Sequence, residues 1–145
     1  MICLYKKYQN YANMEFTMKK NKFGLCYLRF TSSVCSKLTT VSTTSTFISI
    51  DYENSSIIGI EFIGGISSES VTLNIENSEN TCRLYFLENV SQSVKDEFDV
   101  ENELSWSNDS VSVYLLRNTI SYIEIANSFL PKNFNFKDLE IINSC

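Results

Sequence analysis

The sequence predicts an α+β fold: a single domain dominated by an antiparallel β-sheet of about six to eight strands, with one or two helices on one face. Several stretches alternate apolar and polar residues with period two, as half-buried strands do. Serine, threonine, asparagine and β-branched residues are plentiful, while the chain has only four glycines and one proline. Branched side chains lose rotamer freedom in a helix and pack well on a pleated surface. One stretch, 88–104, breaks this pattern with apolar residues at helical spacing. At 145 residues, with 43% apolar and 20% charged residues, the chain is long enough to bury a core without metals or bridges.

The elements follow in order. Residues 1–20 are predicted to be an N-terminal extension, with Met14 and Met18 as alternative starts. Residues 24–30 read as a strand, and the Ser/Thr-rich stretch 31–46, with Val34, Leu38 and Val41, as an irregular strand or loop. A hairpin follows. Ile48, Ile50 and Tyr52 share one face of its first arm, and Ile58, Ile60 and Phe62 one face of its second. The other faces carry Ser49, Asp51, Gly59 and Glu61, and the polar run 53–56 supplies the turn. Residues 70–76 and 81–87 form two more strands around a polar turn.

In the stretch 88–104, Val90, Val94 and Phe98 have helical spacing, with Asn89 or Ser91 available as N-cap. Acidic residues near a helix C-terminus oppose its dipole, so the helix is expected to stop near Phe98, with an exposed acidic loop running on to Trp106. Residues 110–117 and 119–126 read as a second hairpin turning near Asn118. The tail from Phe129 to Cys145 is expected to pack on the body as a last strand or short helix.

The chemistry that composition excludes is substantial. The chain has no histidine, which removes a Ser-His-Asp or Cys-His centre and the commonest zinc ligand. Its five cysteines, Cys3, Cys26, Cys35, Cys82 and Cys145, are odd in number and include no C-x-x-C pair. Free thiols in a cytoplasm are therefore expected, with neither a disulfide framework nor a zinc site. No run approaches the roughly 18 apolar residues of a membrane span, and no apolar segment of the signal-peptide kind follows the early lysines. No metal or cofactor is expected. Asp51 and Glu61, on one face of the hairpin, are the best pair for carboxylate catalysis or cation binding, although charged residues on a sheet face ordinarily serve as solvated surface.

Charge suits either a solubilising surface or a partner. Residues 1–37 hold seven basic residues against Glu15 alone, whereas 38–145 hold five basic and sixteen acidic residues. An acidic body repels nucleic acid and attracts basic proteins. Acids concentrate over 96–109, interleaved with Phe98, Val100, Leu104 and Trp106. Two readings stay open for these hydrophobes: a place in the core, or anchors of an interface. In the second, Asp96, Glu97, Asp99, Glu101, Glu103 and Asp109 steer a basic protein while Trp106 anchors it.

The segment Asp51-Tyr52-Glu53-Asn54-Ser55-Ser56-Ile57-Ile58-Gly59-Ile60-Glu61-Phe62 resembles the hairpin of a small bacterial domain family without assigned function. There an aliphatic strand ends in Asp, and an aliphatic-Gly-Ile-Glu strand follows the turn. Related hairpins look similar to parts of immunity proteins of bacterial toxin systems, including contact-dependent growth inhibition. The resemblance implies a cytoplasmic, non-catalytic protein that neutralises a cognate basic toxin, such as a nuclease, by blocking its active site. The other reading carried from the sequence is a non-catalytic β-rich structural or regulatory domain of a phage or mobile element.

Overall fold

A computed structural model describes residues 14–20, 22, 24–31, 37–43, 47–64, 66, 70–86, 102–132, 134–135 and 139–142. Among the described residues, eleven strands lie in two antiparallel sheets. They are β1 (Met14–Lys19), β2 (Cys26–Arg29), β3 (Thr39–Ser42), β4 (Ile48–Glu53), β5 (Ser56–Phe62), β6 (Ser70–Asn77), β7 (Thr81–Phe86), β8 (Glu103–Ser107), β9 (Val111–Leu116), β10 (Thr119–Ala126) and β11 (Glu140–Ile142). One sheet has the order β1-β6-β7-β10-β9-β8 and the other β11-β2-β5-β4-β3.

This architecture overturns the predicted α+β class. Among the described residues the helical content is one 3-10 turn, Asn127–Phe129. The predicted helix lies outside the described residues as far as residue 101, and the expected exposed loop at its end is strand β8 from Glu103 to Ser107. The physical reason is pairing: Glu103, Leu104, Trp106 and Ser107 stand opposite Leu115, Tyr114, Val113 and Ser112 of β9, which satisfies the backbone of this segment in a ladder. The predicted extension 1–20 includes β1, whose Glu15, Thr17 and Lys19 stand opposite Asn74, Thr72 and Ser70 of β6.

The two sheets share one core. Leu28, Ile48, Ile50, Ile60 and Phe62 come from the five-stranded sheet, and Leu73, Ile75, Leu84, Phe86, Val113, Ile123 and Ile125 from the six-stranded one. Phe62 meets Phe86 edge-on, 5.5 Å between ring centres. A polar knot adds a second tie. The Tyr52 and Ser110 hydroxyls lie 2.6 Å apart, and Asn108 Nδ2 donates to Tyr52 Oη at 3.1 Å. Asn108 Oδ1 also accepts from the Ser110 and Val111 amides at 2.9 and 2.8 Å. One asparagine thus closes the β8–β9 turn and reaches the opposite sheet.

The hairpin turns follow local chemistry. Asn54 takes a left-handed φ of 55° between β4 and β5, and Arg117 and Asn118 take 53° and 67° between β9 and β10. Two consecutive positive φ values match the twist of the flanking strands. The tail packs on the body, with Phe134 against Phe30 at 5.6 Å, Leu139 buried, and β11 paired with β2.

Candidate functional site

The outer face of the five-stranded sheet carries the predicted carboxylate pair. Asp51 and Glu61 stand on this face, in adjacent cross-strand rows opposite Gly59 and Ser49. Asp51 is committed to structure: Tyr27 Oη donates to one oxygen at 2.9 Å and Thr40 Oγ1 to the other at 2.7 Å. Burial, followed by the hydrogen bond to Asp51, pushes the Tyr27 phenol well above its ordinary range. Tyr27 lies over Gly59, where a β-carbon would collide with its hydroxyl end. No group of three or more acidic or cysteine side chains is placed to hold a metal ion among the described residues.

The outer face of the six-stranded sheet holds a feature that the sequence reading missed. Register aligns Asn74, Tyr85, Tyr122, Tyr114 and Leu104 in one row across five strands. Tyr114 stacks on Tyr122 at 4.3 Å, and Tyr85 lies 5.4 Å from Tyr122. In the next row Arg83 Nε contacts Glu124 Oε2 at 2.8 Å, Arg83 also donates to Tyr85 Oη at 3.2 Å, and its guanidinium sits 5.4 Å from the Tyr122 ring centre. Asn74 is only 2% exposed and Tyr85 and Tyr122 only 3%, so this part of the row is interior although it points away from the shared core, whereas Leu104 at its end is exposed. Burial raises the pKa of both tyrosines. The alternating polar–tyrosine pattern of β7, β9 and β10 was the available signal, but burial of an outer face depends on what lies above it.

The predicted partner-binding residues divide in two. Asp96, Glu97, Asp99 and Glu101 lie outside the described residues. Glu103, Trp106 and Asp109 occupy β8 and the β8–β9 turn, and β8 is one of the two edge strands of its sheet among the described residues, with β1 at the other edge. Glu103 and Asp109 are exposed, and Leu104 is 55% exposed, the highest value among the large hydrophobic residues described. Trp106 is half-buried and packs against the core. An irregularity between Leu104 and Trp106 separates them: Leu104 pairs with Tyr114 on the outer face, and Trp106 with Val113 on the core face. Bulges re-aim side chains in this way.

Glu103 also lines a partly open cavity of about 360 Å³ with Leu115, Leu116, Arg117 and Asn118. This cavity sits where β8 begins and the β9–β10 turn closes. The strand edge therefore combines an exposed aliphatic side chain, two exposed carboxylates and a recess, the ingredients of a protein-contact surface.

The thiols at Cys26 and Cys82 are free and buried in the core. Burial pushes the Cys26 pKa up to about 11 and the Cys82 pKa up to about 12, which keeps both as neutral thiols, the unreactive form. No helix of the described residues is long and apolar enough to cross a membrane. In comparisons with known proteins, no family model, no curated protein and no solved structure matches this chain.

Proposed function

We propose that this protein is a non-catalytic binding protein of the immunity type, which neutralises a basic protein toxin by covering its active site. The observation that carries this reading is the β8 edge. Leu104 is 55% exposed there, beside the exposed Glu103. The chain entering that edge is acidic: residues 88–109 hold seven carboxylates against Lys95 alone. Carboxylates on a rim raise the encounter rate with a cationic partner, while apolar contacts slow its release. The absence of histidine from the whole chain and the engagement of Asp51 with Tyr27 and Thr40 favour binding over acid–base catalysis.

The test takes the product of the neighbouring gene as the candidate toxin and measures association by surface plasmon resonance at two salt concentrations. Replacing Glu97, Asp99, Glu101 and Glu103 with their amides should slow association about tenfold at low salt and flatten its salt dependence, with the melting curve unchanged. An unchanged association rate in the folded variant would remove this surface as the recognition site. Absence of any complex with the wild-type chain would remove the immunity reading.

A further inference from the structure

Among the described residues, β1 and β8 form the edges of one sheet and β11 and β3 the edges of the other. An edge strand presents backbone donors and acceptors that can pair with another chain, and proteins guard such edges with charged side chains or bulges. Three of the edges are guarded in this way. β1 carries Glu15 and Lys19, β11 carries Glu140, and β8 carries Glu103 and a register shift. β3 is different. Its residues, Thr39, Thr40, Val41 and Ser42, bear no charge, and its register with β4 runs without a shift. Thr39, Thr40 and Ser42 are exposed, and Leu38 just ahead of them is 47% exposed.

Two backbone bonds fix which groups of β3 point outward. The Thr43 amide donates to the Ile48 carbonyl at 3.1 Å, and the Ile63 amide to the Phe47 carbonyl at 2.8 Å. Bonded and non-bonded pairs alternate along an antiparallel ladder. Ile48, Ile50 and Tyr52 of β4 therefore bond toward β3, where Val41 and Thr39 face the last two. The N–H and C=O groups of Thr40 and Ser42 are left pointing away from β4.

We propose that this edge pairs antiparallel with the β3 edge of a second copy of the chain, about a two-fold axis at Val41. Thr40 then faces Ser42 of the second copy and the two exchange both backbone bonds, and the symmetric pair repeats the exchange. Thr39 faces Thr43 of the second copy, and the two Val41 side chains meet at the axis. Cross-strand Thr–Thr and Thr–Ser pairs stabilise a sheet, whereas like charges placed opposite one another destabilise it. Every position from 38 to 44 is uncharged, so the edge is complementary to itself and offers no charge to a cationic strand. The pairing doubles the five-stranded sheet into one continuous sheet with the commonest symmetry of protein dimers. It does not rest on the β8 edge, which belongs to the other sheet. A four-residue strand makes a small contact, in the weak class below about 1,200 Å². The net charge of −5 on each copy opposes association, so added salt strengthens this dimer. Salt acts in the opposite sense on binding to a basic protein.

The experiment follows the full chain by sedimentation equilibrium from about 10 µM to about 1 mM, at low and high salt, with amide hydrogen exchange read by NMR. A monomer–dimer equilibrium should appear, shifted at least twofold toward dimer by salt. Exchange at the Thr40 and Ser42 amides should slow at least threefold at the highest concentration, with the β8 amides unchanged. Ser42→Pro removes an outward donor that the β4 ladder does not use, at the cost of the exposed contact between the Ser42 and Ser49 hydroxyls. It should leave the melting curve in place and weaken the dimer at least tenfold. A chain that stays monomeric throughout, a dimer that salt weakens, or a dimer that a folded Ser42→Pro variant retains would overturn the proposal. If Ser42→Pro does not fold, the exchange measurement on the wild-type chain decides: concentration-independent exchange at Thr40 and Ser42 rules the β3 pairing out.

Discussion

Gly59 shows how one residue governs the polar face of the five-stranded sheet. Tyr27, diagonally across the ladder, fills the space that a side chain at residue 59 would take, and from there its hydroxyl reaches Asp51 at 2.9 Å. An aromatic ring laid over a strand glycine recovers packing that the glycine lacks. Gly59→Ala should therefore expel the Tyr27 ring, break the bond to Asp51 and cost about 1–3 kcal/mol. The cost should largely vanish when Tyr27→Ala is already present. Urea unfolding of the four proteins in this double-mutant cycle measures the coupling. Additive effects would mean that Tyr27 does not occupy the slot over Gly59.

At the scale of elements, bulges decide which side chains meet. In the β4–β5 pairing the register shifts between Asp51 and Tyr52 of β4, so Ile57 of β5 stands opposite Tyr52 and joins the core, whereas Ile58 is buried outside that cluster. Simple alternation placed Ile58 with Ile60 and Phe62. A second shift near Ser121 brings Ile120 into the core, and the Ser121 hydroxyl donates to the Tyr114 carbonyl at 3.1 Å. The third separates Leu104 from Trp106. The β8–β9 turn is the element on which the sandwich closes, because Asn108 serves both its own turn and Tyr52 of the other sheet. Asn108→Ala should lower stability by about 1–2 kcal/mol. Asn108→Asp keeps the acceptor for the two amides and should lose less. If Asn108→Ala and Asn108→Asp unfold at the same denaturant concentration, the turn amides do not depend on this side chain.

For the whole molecule, the buried protons set an alkaline limit. The Cys26 and Cys82 thiols have folded pKa values raised from 9.0 to about 11 and about 12, and Tyr27, Tyr85 and Tyr122 are raised as well. The folded state then holds these protons more tightly than the unfolded chain. Their contribution is complete below pH 9.0 and is lost as pH rises through the folded values. Denaturant midpoints should fall steadily above about pH 9, and Cys26→Val with Cys82→Val should flatten the early part of that fall. A thiol reagent should leave Cys26 and Cys82 intact in the native protein at neutral pH. Reaction of either cysteine as fast as in the unfolded chain would contradict their burial.

Much of the strand content was legible in the sequence. The alternation of Ile48, Ile50 and Tyr52, of Val71, Leu73 and Ile75, and of Val111 and Val113 is read directly from spacing, because a strand sends neighbouring side chains to opposite faces. The buried side of each of those strands was therefore already determined. So was the lack of any histidine-based chemistry, and the acidity of the chain entering β8. Only tertiary structure decided the two-sheet class, since both β8 and β1 become strands by pairing with β9 and β6. It also decided that Trp106 faces the core and Leu104 faces outward, because a bulge breaks the period on which sequence reading depends. The tyrosine row and the cavity at Glu103 were hidden for the same reason. The row joins Tyr85 of β7 to Tyr114 and Tyr122 of β9 and β10, and the cavity depends on how β8 lies against β9; cross-strand register is a property of the pairing.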